Sequence, residues 1–375
     1  MNDSFDEDRK QRLNDRILAS VDRYDGRKLI KRISYISSIA AILVIGIFSY
    51  GYFYRAASPS QLLQKAASST NLDTSGSEVR LILNNQKEIG IADKEPDLVY
   101  ASNGKSVNIN NGRSLSQSPE RPDETSYNTI VVPLGKKSQL TLSDGTKVWI
   151  NSGSKLTYPT VFAKGKREVV LEGEAIFEVA HNTESPFHVL ADGNDIKVLG
   201  TVFAVSSYAD DDYVSTALQS GSVEITYTDR GRFFDTDNSI KIVPSTLASY
   251  NKKEQKIDTK KMDVAPYFSW RDGEFIFQNN DLQYIMKKIS RHYGVAITIA
   301  DSALARQTFS GNLDIDNDLE TVMEIMKATS KFEFKKKENR ISIIKPNIDA
   351  DDEQTEYKKP EDAPTSSGCS NITLT

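Results

Sequence analysis

Residues 139–150 read Gln-Leu-Thr-Leu-Ser-Asp-Gly-Thr-Lys-Val-Trp-Ile, two apolar-alternating runs around a polar turn. Leu140 and Leu142 precede Asp144-Gly145, and Val148 and Ile150 follow it. A period of two places such residues on one face of a strand, and glycine tolerates the positive φ a tight turn needs. Residues 80–91, Arg-Leu-Ile-Leu-Asn-Asn-Gln-Lys-Glu-Ile-Gly-Ile, repeat the pattern without a gap. Leu81, Leu83, Ile89 and Ile91 fall on Leu140, Leu142, Val148 and Ile150. A repeated strand–turn–strand unit suits a solenoid-like stack, hairpins in a sandwich, or a chance likeness of two amphipathic hairpins.

The same texture runs from Glu78 to about Tyr250, with turns at Asn103-Gly104, Asp192-Gly193 and Ser220-Gly221. We expect a mainly β domain over 78–250, solenoid-like or a sandwich of short strands. A polar, lysine-rich stretch reads as a linker over 251–268. Beyond it Phe275/Phe277 alternate as a strand. Leu282, Ile285, Met286 and Ile289 then share a helix face, with Asp281 or Asn280 as N-cap and Gly294 as terminator. Strands at Val295–Ile299 and Thr308–Leu313 precede a second helix capped by Asp318, and a hairpin closes the set. This predicts a small α+β domain over 269–345 of order β-α-β-β-α-β. The methionines read as core. The acidic, then Ser/Thr-rich tail, 346–375, reads as disordered.

Upstream, Tyr35–Tyr54 carries no charge. As a helix it is about 30 Å long, the thickness of a bilayer hydrocarbon core. Tyr50, Tyr52, Phe53 and Tyr54 supply an aromatic belt at its end. The run is too long, and begins too far from the first residue, for a cleaved signal peptide. Arg23, Arg27, Lys28, Lys31 and Arg32 precede it, whereas Arg55 and Lys65 follow. The positive-inside rule therefore expects a single pass through the inner (cytoplasmic) membrane, N-terminus cytoplasmic and the bulk periplasmic. Residues 1–34 form a cytoplasmic segment in which Leu13, Ile17, Val21 and Tyr24 make one apolar stripe. Such a stripe wants a groove on another protein or a lipid surface. Residues 55–77 read as a tether or a frayed helix.

The 375 residues hold 47 Lys plus Arg against 52 Asp plus Glu, a net charge of −5, so no overall positive field advertises nucleic acid. One cysteine, Cys369, excludes an internal disulfide framework and any multi-cysteine metal site. His181 and His188 lack a ligand spacing, and Glu172 and Glu174 read as a solvated strand face rather than a glycosidase pair. Asp314, Asp316 and Asp318 start like a calcium loop, but Leu319 stands where glycine is required and Ile325 where glutamate is usual. No Gly-x-Ser-x-Gly elbow occurs, and Asn151-Ser-Gly-Ser-Lys is not followed by a helix. No metal, cofactor or catalytic constellation is expected; the chain reads as a binding and signalling protein, not an enzyme.

Several motifs carry a resemblance. They are Val132-Pro-Leu-Gly, Leu142-Ser-Asp-Gly-Thr-Lys-Val-Trp-Ile-Asn-Ser-Gly-Ser, Leu156-Thr-Tyr-Pro, Leu171-Glu-Gly-Glu-Ala-Ile-Phe-Glu-Val-Ala, Val198-Leu-Gly-Thr-Val-Phe and Leu218-Gln-Ser-Gly-Ser-Val. With them, residues 131–227 resemble the central domain of FecR-type transmembrane anti-sigma regulators. Trp270-Arg-Asp-Gly-Glu-Phe-Ile-Phe and Arg291-His-Tyr-Gly-Val resemble the C-terminal domain of Bacteroidetes-type members, itself similar to the short secretin and TonB-receptor signalling fold. The resemblance implies a periplasmic part that senses the signalling domain of a TonB-dependent outer-membrane receptor. It also implies a cytoplasmic part that holds or releases an extracytoplasmic-function (ECF) sigma factor, commonly after stepwise cleavage by envelope proteases. Leu13, Ile17, Val21 and Tyr24 are then the sigma-binding residues, and Tyr35, Ile42, Gly46 and Tyr54 mark the span, where Gly46 and Gly51 would ease unwinding. The sequence departs from the pattern in three places. Only about one helix fits before Tyr35, where the family usually has a bundle, so an envelope docking module without sigma control is the alternative. Ala204 replaces a common Asn, and Pro244-Ser245 a usual Pro-Gly; both are expected in loops or strand ends.

Overall fold

The computed structural model describes residues 7, 9–18, 59–70, 76–84, 86–117, 125–230, 235–330 and 332–345. The chain divides into two compact units, residues 1–61 and 62–375. In the first, residues 9–18 are helical (α1) and exposed throughout. Val21, Tyr24 and the whole apolar run, with Tyr35, Ile42, Gly46 and Tyr54, lie outside the described residues, as does the tail 346–375. Among the described residues no helix is long and apolar enough to cross a membrane.

The second unit is organised by one strand. β10 (Arg167–Glu178) has 12 residues, and its two halves belong to different sheets. Residues 170–172 pair with β9 (Ser154–Pro159), whereas residues 173–178 pair with β13 (Val202–Ser207). Gly173 sits at the crossing with φ +104°, a conformation L side chains rarely adopt. A Cβ there would lie 2.3 Å from the Ser154 Oγ and 2.7 Å from the Ser154 Cα. The Ser154 hydroxyl occupies that space and accepts the Glu174 N–H at 2.9 Å.

Around β10 one sheet runs β2 (Glu88–Ile91), β1 (Val79–Ile82), β6 (Tyr127–Val132), β9, β10, β11 (Phe187–Ala191), β12 (Asn194–Val198), β15 (Val223–Arg230) and β16 (Asp235–Ile242). The other runs β5 (Arg113–Ser116), β4 (Ser106–Ile109), β3 (Asp97–Tyr100), β7 (Ser138–Thr141), β8 (Lys147–Ile150), β10, β13, β14 (Tyr213–Ser220), β17 (Thr246–Asn251) and β18 (Lys256–Lys261). Because β10 leaves the first sheet half-way, the chain returns through 179–186 and lays β11 parallel beside its first half. Leu81, Ile130, Leu156 and Val189 from the first sheet meet Leu98, Leu140, Val148, Phe177 and Phe203 from the second in one core. Phe177 stacks on Phe203 with centroids 5.2 Å apart.

The internal echo is real in structure. Val79↔Ile91 and Leu81↔Ile89 in β1–β2 match Ser138↔Ile150 and Leu140↔Val148 in β7–β8. The turn bonds match as well: Leu83 N–H to Lys87 O and Gln86 N–H to Leu83 O repeat as Leu142 to Thr146 and Gly145 to Leu142. Yet the copies lie in different sheets and face each other across the core, so the arrangement is two-layered rather than a stack of coils. Gln86 holds φ +58° where its counterpart Gly145 holds +84°.

Three expectations change. The 251–268 stretch contains β18, an edge strand of the second sheet; lysines that keep an edge soluble read as a linker. In the stretch read as a tether or a frayed helix, α2 (Pro59–Ser69) is a packed helix, with Leu63 and Ala67 buried. Ala204 is buried inside β13, whereas Ser245 does occupy a loop at φ +61°, the conformation for which glycine is usual.

The C-terminal module follows the expected order, with an added short helix, α4 (Ser302–Ala305). β19 (Glu274–Asp281) pairs with β21 (Thr308–Asp314), and β20 (Ala296–Ile299), β23 (Arg340–Ile344) and β22 (Glu333–Lys337) form a second small sheet. α3 (Leu282–Tyr293) starts where Asp281 accepts the Tyr284 N–H at 2.7 Å and ends at left-handed Gly294. α5 (Leu319–Ser330) starts at Asp318, which accepts the Thr321 N–H at 2.9 Å. Asp314 turns inward on the Asp316 N–H at 2.9 Å. The aspartates that resemble a calcium loop thus build a turn and a helix cap. Met286, Met323 and Met326 are buried in the module's core, which reaches Ile176, Ala204 and Ala217 on the outer face of the second sheet.

Gly173→Ala is expected to lower stability by about 3–5 kcal/mol in urea unfolding, since strain and overpacking add at that position. Gly145→Ala, in an open turn, should cost only about 1 kcal/mol.

Candidate functional site

The seam between the second sheet and the C-terminal module gathers charges and motif residues from distant parts of the chain. On its sheet side, the β13–β14 connection presents Asp210 and Asp211. On its helix side, α3 presents Lys287 and Arg291 one turn apart, hence on one face. Arg291 Nη1 and Nη2 donate to the two Asp211 oxygens at 3.1 and 2.8 Å, and Nη2 also reaches Asp210 at 2.7 Å. Lys287 Nζ donates to Asp211 at 2.5 Å and lies 2.9 Å from the Asp210 carboxylate. Burial opposes ionisation of Asp210, but the Lys287 and Arg291 charges outweigh it and hold the carboxyl below its usual range.

Arg291 is also stacked. Its guanidinium carbon lies 3.6 Å from the centroid of the Tyr208 ring. The Tyr208 hydroxyl, pushed far up by burial, donates to the Ser152 carbonyl at 2.8 Å. The Arg291 carbonyl accepts the Gly135 N–H at 3.0 Å. So Pro133-Leu-Gly135, Asn151-Ser-Gly153, Tyr208 and Arg291 converge on one spot, though they are scattered in sequence.

One turn away, Glu174 is 4% exposed, so it is not on a solvated face. β10 carries it across Gly173 onto the outer face of the second sheet, which the C-terminal module covers. The Asn151 amide donates to it at 2.8 Å, and Lys288 Nζ stands 3.5 Å away. Burial works against the Lys288 charge, but Glu174 and the tyrosines Tyr284 and Tyr267 raise its pKa above the ordinary lysine value. Beside it a cleft of ≈ 560 Å³ opens, lined among others by Asp211, Tyr213, Tyr267, Tyr284 and Arg306. Further along, Arg271 lies over the Trp149 ring at 5.1 Å, and Trp270 is buried in the module's core. His292, buried against Phe275 and Tyr293, bonds the Ile315 carbonyl through Nε2 at 3.1 Å; burial pushes its pKa down to about 4.

Of the residues singled out in sequence, Leu13 (61%) and Ile17 (50%) are exposed on α1, and Leu18 joins them as exposed. The other reactive-looking groups have structural partners. Ser152 Oγ donates to the Lys136 carbonyl, Glu172 pairs with Lys155, and His188, on β11, bonds Asp195 at 2.7 Å. Sequence reasoning missed Asp210, Asp211 and Lys287, and quoted Arg291 only as part of a motif, without a role. Their only local signals are an acidic triplet at 210–212 and basic residues spaced by one helical turn.

Residues 128–224 match the family described as FecR protein, and residues 274–343 match FecR, C-terminal. The chain carries a FecR domain and a FecR C-terminal domain. The FecR domain carries the convergent loops and Glu174, the FecR C-terminal domain carries α3, and the ion pairs join the two. Two crystal structures of a candidate anti-sigma factor from Parabacteroides distasonis ATCC 8503, at 1.65 and 2.50 Å, are 28% identical to this chain with a TM-score of 0.52. Each covers 58% of this chain, and 98% and 99% of its own. No curated protein matches.

Arg291→Ala should destabilise the FecR C-terminal domain by about 1–3 kcal/mol, because it removes the stacking on Tyr208 and leaves the partly buried Asp211 carboxylate to Lys287 alone. Hydrogen exchange resolved to 274–343 reads that loss. The His292 pKa, about 4 against an ordinary 6.5, makes a separate prediction. An unfolded chain takes up a proton between those values that the folded one refuses. Stability therefore falls as pH drops through that window, by about 2 kcal/mol between pH 7.5 and 5. Urea midpoints should show that difference in the native chain and lack it in His292→Gln.

Proposed function

We propose that this chain is a single-pass inner-membrane anti-sigma factor and signal transducer. It relays a periplasmic signal from an outer-membrane TonB-dependent receptor to a cytoplasmic ECF sigma factor. The observation that carries the reading is the FecR and FecR C-terminal match, joined to the likeness with a candidate anti-sigma factor over 58% of the chain. The uncharged run at 35–54 and the basic residues before it support a membrane anchor, N-terminus cytoplasmic. Leu13 and Ile17, exposed on one face of α1, support a helix that lies in a groove of the sigma factor.

In this reading the receptor's signalling domain meets the FecR and FecR C-terminal domains, and envelope proteases complete the release. The protein works by binding and catalyses no reaction. Its polar side chains support that: the serines, glutamates and lysines of the seam hold loops and sheets together through their own bonds.

The test is co-purification of the full-length chain from membranes with the sigma factor encoded beside its gene. Replacing Leu13, Ile17 and Val21 together with Asp is expected to reduce capture at least about 100-fold without changing membrane insertion. Undiminished capture by that variant overturns the helix-in-groove proposal. Absence of capture by the native chain overturns sigma control.

A further inference from the structure

Strands β6 and β9 are buried on both faces, although only one face belongs to the core. Ile130, Val132, Leu156 and Tyr158 point into the core. Thr129, Val131, Lys155 and Thr157 alternate with them, point the other way, and are buried too. The cover on that outer face is marked by Lys155. Its side chain is 3% exposed, and Nζ donates to the carbonyls of Ala67 at 3.0 Å and Thr70 at 2.8 Å. Those two carbonyls close the C-terminal end of α2, where a cation meets the end acceptors and the negative end of the helix dipole together; the Ala67 carbonyl also accepts the Thr70 N–H at 3.4 Å. Glu172, across the pair from β10, holds the same ammonium at 2.6 Å.

We propose that α2 is a releasable strap on the outer face of the first sheet, fastened by Lys155. The contacts that fasten it are of a kind that water can replace. Leu63 and Ala67 are its buried apolar residues, against an ammonium and two end carbonyls. On release, Glu172 keeps Lys155 paired, and Thr129 and Thr157 keep the 2.9 Å bond between their own hydroxyls. The face so uncovered leaves no charge stranded, and both states are therefore accessible. In chain order α2 stands between the uncharged run and β1, so the strap ties the state of the FecR domain to the segment that leads back toward residue 54. Its use in signalling rests on the transducer reading above; its existence does not.

Hydrogen exchange on the full-length chain in nanodiscs tests it. Amides of 62–69 are expected to exchange at least about ten-fold faster in Lys155→Met than in the native chain, while β13 and β14 keep their protection. Leu63→Asp loosens the strap from the helix side and should do the same, which covers the case that Lys155→Met does not fold. Three outcomes overturn the proposal: α2 unprotected in the native chain, α2 protection unchanged in both variants, or β13 and β14 lost together with α2 in both. Sigma capture, read on the same preparations, reports on the transducer reading alone.

Discussion

The fold depends on the passage of β10 from one sheet to the other at Gly173. A residue with a side chain is strained and crowded at that point, because the Ser154 hydroxyl fills the space and uses it to hold the Glu174 N–H. Every neighbour relation follows from the crossing. The first half of β10 takes β9 and β11, the second half takes β8 and β13, and the core is whatever lies between the two sets. The same step carries Glu172 and Glu174 to the outer faces of different sheets, each toward a lysine.

Both outer faces are then used. On one, α2 sets its C-terminal end on Lys155; on the other, α3 sets Lys287 and Arg291 on the Asp210–Asp211 turn. Both contacts are ion-mediated at one end and apolar at the other. Ion pairs of this kind fix orientation more than they add stability, because desolvation offsets much of their Coulomb attraction. A two-sheet core thus carries a helix on each outer face, each placed by a few charges.

Much of this was legible in the sequence. Period-two alternation with Gly turns gave the strands, and the repeat at 80–91 and 139–150 gave two hairpins of identical register. The C-terminal module was legible down to its caps, Asp281, Gly294 and Asp318, because caps are local chemistry read within one helical turn. What failed were readings of exposure. Glu174 looked solvated, Ala204 looked like a strand end, and 251–268 looked like a linker. Each depends on which element covers a face, which is not a local property.

The sequence by itself determined the strands, the turns, the two helices of the C-terminal module and the family motifs, all set by residues a few positions apart. Only the tertiary structure decided that the repeated hairpins fall in opposite sheets and that the scattered motif loops meet under Arg291. It alone decided that the segment after the uncharged run packs as α2 on Lys155. The physical reason is range. Alternation and capping are satisfied within a turn or a hairpin, whereas covering a sheet's outer face and pairing a buried charge require partners that the chain supplies a hundred residues away.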